Sequence, residues 1–335
     1  MKKTVFLFLI LFATAVMAKP KHIVVAYVTI WTNEIPDPTQ MTHINYAFGC
    51  VNETFNGVTV QKPERLKQLA ELKKQNPKLH LLLSIGGWGT GRFSEMAADE
   101  QLRLAFAKDC KRVIEEYNLD GIDIDWEYPT QSGAGISASP DDTKNYTLMM
   151  RDIRKAIGKK KDLTLASCES ARYIPFPDIL PYLDFVNIMA YDLGSGEKHH
   201  SALYPCSISG NYTADKAVKA HLDAGLPLNK LVLGMPFYSR GIGHEWIASN
   251  QFQSVKEKEG LEEFWDTEGC VPYMKNKEGK IVMTYDNPLS ISIKCKYIKK
   301  KGLLGGMYWH YGYDDEQHTL SRVVAHELLE KEKTE

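Results

Sequence analysis

The chain has 335 residues and a formal net charge of −1, with acidic and basic side chains interspersed along it. That balance creates no long-range field to gather nucleic acid or an anionic membrane surface, so a neutral partner is expected. The length permits one large domain or two modest ones, and an α/β barrel of about 250 residues carrying one insertion fits it.

Lys2 and Lys3, an apolar run from Val5 to Val16 and the small Ala18 before Lys19 read as an export leader. Cleavage after Ala18 would deliver residues 19–335 to the periplasm or the medium. The run is short for a bilayer, and no second stretch of spanning length follows it, so no membrane association is expected. Six cysteines (Cys50, Cys110, Cys168, Cys206, Cys270, Cys295) form neither a CxxC nor a Cys/His cluster. Neither a zinc site nor any other metal or cofactor is expected from that spacing, and no disulfide pairing follows from it. A monomer is the expected state.

Short β-branched runs then alternate with helical patterns, the signature of a parallel sheet wound with helices. The first strand is expected over Ile23 to Ile30 and the second over His43 to Phe48, followed by a helix over Pro63 to Gln75. Leu79 to Ser84 is the third strand. Phe106, Cys110, Val113, Ile114 and Tyr117 then recur at helical spacing, with charged residues on the other face. Gly121 to Trp126 is the fourth strand, Asp141 to Ile157 a helix, Leu163 to Ser167 the fifth strand, and a short connection leads to the sixth, Asp184 to Ala190. A helix over Ala214 to Ala224 precedes the seventh strand, Lys230 to Pro236; the eighth is Leu303 to Trp309, and Glu316 to Leu329 closes as a helix. Eight strands is the closure number of the (β/α)8 barrel. The segment from Gly241 to Asn287 interrupts this rhythm and carries Trp246, Phe252, Phe264, Trp265 and Tyr273, so it reads as a small α+β insertion walling the strands' C-terminal end.

The most informative stretch runs from Asp120 to Pro129, Asp-Gly-Ile-Asp-Ile-Asp-Trp-Glu-Tyr-Pro. Period-two alternation points Asp123, Asp125 and Glu127 to one side and Ile122, Ile124 and Trp126 to the other. In a barrel the apolar set packs against helices, while the acids line the interior and end with Glu127 at the catalytic mouth. Carboxyls roughly 7 Å apart along a strand repel when ionised in a dry site, so a proton is shared and Glu127 can serve as a general acid near neutral pH. Asp125 is placed to hydrogen-bond either neighbour.

The stretch closely resembles the DxxDxDxE motif of family 18 glycoside hydrolases, the chitinases above all, with Asp120, Asp123, Asp125 and Glu127 in its four positions. Further motifs stand in family order: Ser84-Ile-Gly-Gly-Trp88, Asn187-Ile-Met-Ala-Tyr-Asp192, Gly234-Met-Pro-Phe-Tyr-Ser-Arg240 and Gly305-Gly-Met-Tyr-Trp309. The resemblance implies a substrate-assisted mechanism without an enzyme nucleophile. Glu127 would protonate the leaving oxygen, Asp125 would hold the acetamido N–H of an N-acetylglucosamine unit, and Asp123 would sit beneath with Tyr27 and Ser84. Tyr191 would bind the acetamido oxygen, Met189 and Asp192 would shape the sugar site, and Trp309 would form its floor. Phe48, Gly86, Gly87 and Trp88 are counted with the sugar-contacting set, as are Tyr238 and Arg240, the latter alternatively an anchor for the insertion. His310 and the modest length of the insertion depart from the family pattern and concern only distal subsites.

The implied substrate is chitin or a chitooligosaccharide. An endo-β-N-acetylglucosaminidase acting on N-glycan cores shares the chemistry, but Trp126 before Glu127 and the intact sixth-strand motif favour a chitinase. A sugar-binding protein on the same scaffold is the reading for relatives lacking the acid, and Glu127 is present.

Overall fold

The computed structural model describes residues 22–330. The leader expected over residues 1–18 lies outside them. Twelve strands are formed among the described residues. Eight build the barrel: β1 (Ile23–Thr29), β2 (His43–Val51), β4 (His80–Gly86), β5 (Gly121–Asp125), β6 (Asp162–Cys168), β7 (Phe185–Met189), β8 (Leu231–Pro236) and β12 (Gly305–Trp309), while β3 (Val58–Val60) folds back antiparallel on β2. All eight pair parallel in chain order, and β12 returns to pair with β1 through Ile23↔Gly305 and its successors. The ring is therefore closed.

Every expected barrel strand forms, with ends displaced by at most three residues. At the site β5 stops one residue early, at Asp125, so Trp126 and Glu127 lie just beyond the ladder. The helix expected over Pro63 to Gln75 ends as an α-helix at Ala70 and continues as a 3-10 turn over Glu71–Lys74. The stripe around Cys110 belongs to the helix Glu100–Glu116, started by Asp99, whose carboxylate accepts the N–H of Leu102 at 3.0 Å. The connection after β6 holds only the short helix Phe176–Ile179.

Alternation along β5 divides the core. Ile122, Ile124 and Trp126 join the apolar layer between barrel and helices, where Trp126 lies between the rings of Phe93 and Tyr146, with centroids 5.3 and 5.7 Å away. A second cluster fills the barrel interior and includes Tyr27, Tyr191, Tyr238 and Met307. Asp120, the first acid of the motif, stays outside the interior at the base of the barrel: it pairs with Lys73 at 2.7 Å and accepts the Leu81 N–H at 2.9 Å.

Between β8 and β12 the chain forms the helix Phe252–Glu259, then an antiparallel sheet of β9 (Glu262–Asp266), β10 (Val271–Lys275) and β11 (Ile281–Thr284). Phe252, Leu261, Met274, Val282, Met283 and Tyr285 give this segment its own small core. It returns to the barrel where Thr284 and Arg240 exchange backbone hydrogen bonds of 3.0 and 2.7 Å. Asn287 and Ser290 then form a reciprocal cap that starts the helix Pro288–Lys301.

All six cysteines are free thiols, with Cys110, Cys168 and Cys295 buried. No helix of the described residues is long and apolar enough to cross a membrane.

Candidate active site

The C-terminal ends of the barrel strands enclose a cleft of about 850 Å³, lined among others by Asp125, Glu127, Tyr191 and Trp309. The residues singled out by sequence converge here. Tyr27, Phe48, Gly86, Gly87, Trp88, Met189, Asp192, Tyr238 and Arg240 all contribute to its wall. Asp123 and Ser84 lie one layer below, fully buried.

Strand register explains that lower layer. Ser84, Asp123 and Thr164 sit opposite one another on β4, β5 and β6. The Asp123 carboxylate accepts hydrogen bonds from Tyr27 and Ser84, each at 2.8 Å, from Thr164 at 2.6 Å and from Asn187 at 3.3 Å. Burial raises its pKa, and the four donors pull it part of the way back. Thr164 was not foreseen as part of this set. It lay in a run legible only as a strand, and its role depends on the register of β5 against β6.

Asp125 stands one step higher. Burial pushes its carboxyl well above the ordinary range, and the nearby charges of Glu127 and Asp123 push in the same direction. Its Oδ1 is buried without a hydrogen-bond partner, so the bond expected to one or other acidic neighbour is not made through this atom. The Glu127 carboxyl is raised to about 7, first by burial and further by the charge of Asp192, with a hydrogen bond from Tyr128 acting against them. Mutual repulsion within the ladder is thus secondary to desolvation at Glu127. The outcome is a carboxyl that holds its proton near neutrality at the edge of an open cleft.

Gly86 and Gly87 permit this crowding. Gly86 has φ 126°, and a Cβ there would lie 2.0 Å from the Asp125 carbonyl oxygen; Gly87 has φ 94°, and its Cβ would meet the Phe48 ring at 2.7 Å. The Gly87 N–H donates to that same Asp125 carbonyl at 2.8 Å. Trp309 forms an aromatic floor with Phe48 and Tyr27, at centroid distances of 5.6 and 5.5 Å. Burial and the surrounding carboxylates raise the Tyr191 phenol far above its ordinary value, so it remains a neutral donor beside the acids.

Asp192 has the opposite electrostatics. It accepts hydrogen bonds from Arg240 Nε at 2.6 Å and Tyr238 at 2.9 Å, and His200 lies 3.6 Å away. The Arg240 bond and the proximity of His200 outweigh burial and lower its pKa, holding it ionised. Arg240 lines the cleft, lies 3.7 Å above the Trp246 ring and carries the backbone bridge to Thr284.

Trp31 belongs to the same wall and was overlooked. It is half exposed, lies 6.1 Å from Trp309 and follows β1 by two residues, a position at the C-terminal face that was itself a usable signal. His310 turns away from the cleft. It is fully buried, accepts the Gly312 N–H at 3.1 Å and packs 3.8 Å from the Tyr313 ring.

A closed barrel with stacked carboxyls under an aromatic-walled groove fits the glycoside hydrolase class of enzymes. A family profile described as "Glycosyl hydrolases family 18" matches residues 23–314, and the chain belongs to that family. Chitinase A1 of Niallia circulans is 33% identical, with 86% of this chain and 55% of that protein aligned. Chitotriosidase-1 of Mus musculus is 30% identical over 83% of this chain and 68% of that one. The chain thus spans little more than half of the bacterial relative. Among solved structures, a family 18 N-acetylglucosaminidase from Paenibacillus barengoltzii has a TM-score of 0.83 and 34% identity, covering 92% of this chain and 100% of that one. Ostrinia furnacalis Group IV chitinase has a TM-score of 0.84 at 26% identity, covering 92% and 100% of the two chains.

Proposed function

We propose that this protein hydrolyses β-1,4-linked N-acetylglucosamine chains, chitin or chitooligosaccharides, with retention of configuration and with the substrate supplying its own nucleophile. The observation that carries the reading is the Glu127 carboxyl at the cleft surface, raised to about 7 by burial. Relatives named as chitinases and a structural neighbour named as an N-acetylglucosaminidase support the choice of sugar.

In this mechanism Glu127 gives its proton to the glycosidic oxygen as the bond to the anomeric carbon breaks. The acetamido oxygen of the same sugar attacks that carbon, giving an oxazolinium ion. Water then adds to the anomeric carbon, the Glu127 carboxylate takes up the water's proton, and the ring reopens with the original configuration. Asp125, whose buried Oδ1 has no other partner, accepts the acetamido N–H. Tyr191 donates to the acetamido oxygen. Asp123 stays fixed by its four donors and sets the charge beneath Asp125. Trp309 packs against the apolar face of the sugar. The leader expected at residues 1–18 accords with action on an extracellular polymer.

Defined chitooligosaccharides and an N-glycoprotein, followed in one time course with anomer analysis, test this reading. Retained-anomer products from the oligosaccharides are expected. Glu127→Gln should bind them normally and lose about 10²–10⁴-fold in kcat, and Asp125→Asn should fall by roughly 10²-fold. Inverted products would exclude the mechanism. Cleavage of the glycoprotein alone would transfer the assignment to N-glycan cores.

A further inference from the structure

At the opposite end of the barrel, three strand starts converge. His43 opens β2, His80 opens β4 and Asp162 opens β6. Asp162 Oδ2 lies 2.5 Å from His80 Nδ1 and 3.7 Å from His43 Nε2, and the three atoms fall within 4.8 Å of one another. The imidazole centroids are 4.8 Å apart, and Phe185 covers His43 edge-on at 5.3 Å.

The remote nitrogen of His43 orients the ring. Its Nδ1 is 2.8 Å from the Thr42 hydroxyl, which also accepts the Val24 N–H at 3.0 Å and donates to the Val24 carbonyl at 3.0 Å. The hydroxyl holds Nδ1 in place, so Nε2 is the nitrogen turned toward the Asp162 carboxylate. An imidazole whose remote nitrogen is anchored in this way is the arrangement found behind metal ligands.

We propose that His43 Nε2, His80 Nδ1 and Asp162 Oδ2 form a site for a divalent first-row transition ion, zinc being the best match. Two imidazoles and one carboxylate disfavour calcium and magnesium, which take oxygen ligands. Ligand bonds of about 2.0–2.1 Å place tetrahedral donors roughly 3.3 Å apart. The 3.7 Å edge is close to that value, and the 2.5 Å edge widens when the ion replaces the His80–Asp162 hydrogen bond and the 45% exposed His80 ring rotates. The open side at His80 leaves room for a water as fourth ligand. Nearby, Lys73 is already neutralised by Asp120, so it does not repel an incoming cation uncompensated. The ion would tie the starts of β2, β4 and β6 together, at the end of the barrel remote from the acids that act on substrate.

The test uses the full chain without an affinity tag, stripped with a chelator and titrated calorimetrically with zinc chloride, with cobalt chloride as a spectroscopic probe. Expected are one ion per chain at micromolar affinity or tighter, a cobalt spectrum of low coordination number and a melting temperature raised by about 2–5 °C. His80→Gln and Asp162→Asn, each read against its own metal-free melting temperature, should bind zinc roughly tenfold or more weakly and lose that rise. Glu127→Gln should bind zinc as the parent does, which separates this site from the cleft. Absence of saturable zinc binding by the parent would overturn the proposal, leaving a histidine–carboxylate pair. Equal affinity in the His80 and Asp162 variants would also overturn it.

Discussion

A single proton decides the chemistry of Glu127, and the same proton is written into stability. The carboxyl value near about 7 in the folded chain exceeds the ordinary 4.5, so the native state binds more protons than the unfolded state between those values. Its stabilising contribution is complete below pH 4.5 and is lost as pH rises through 7. The alkaline limb of kcat/KM should therefore fall near pH 7, and the melting temperature of Glu127→Gln should gain on the parent between pH 5 and pH 8. A constant difference across that range in calorimetry would contradict the assignment. Beneath it, Thr164→Val removes one of four donors to a buried carboxylate, without changing side-chain shape much. The expected loss is about 1–3 kcal/mol by urea denaturation, with Asp123 harder to ionise.

At the scale of one strand, β5 shows why some features were legible and others were not. Its strict alternation of isoleucine with acid revealed which side faced the barrel interior, because no other burial satisfies both sets. Its end was harder to read. Trp126 continues the apolar pattern although the ladder has stopped, since its burial comes from Phe93 and Tyr146 rather than from strand pairing. Trp126 thus holds the backbone that presents Glu127. Trp126→Ala should cost about 3–5 kcal/mol in denaturation experiments and lower kcat more than it changes KM, while Trp126→Phe should recover most of both. Contacts that need two strands in register, such as Thr164 with Asp123, have no counterpart in a linear pattern. The base cluster was invisible for the same reason: His43, His80 and Asp162 are scattered along the chain and meet only when β2, β4 and β6 are aligned.

Across the whole molecule, the eight-strand order was readable because each run carries its own β-branched composition and each intervening helix its own apolar stripe. Arg240 could be named as an anchor for the insertion, but the partners through which it ties cleft wall to insertion, Asp192, Trp246 and Thr284, could not, since they meet only in the folded chain. The pairing of β1 with β12 has a temporal consequence. Among the described strands, synthesis makes β1 first and β12 last, yet they are hydrogen-bonded neighbours in the finished ring. A nascent polypeptide has one flank of β1 without a mate until the ribosome has passed residue 309, and a version ending at residue 304 should be digested rapidly by protease and melt without a cooperative transition. Protease resistance of that shortened version would show that seven strands suffice. The architecture postpones its own locking until the eighth barrel strand has emerged, keeping the earlier strands pliable until then.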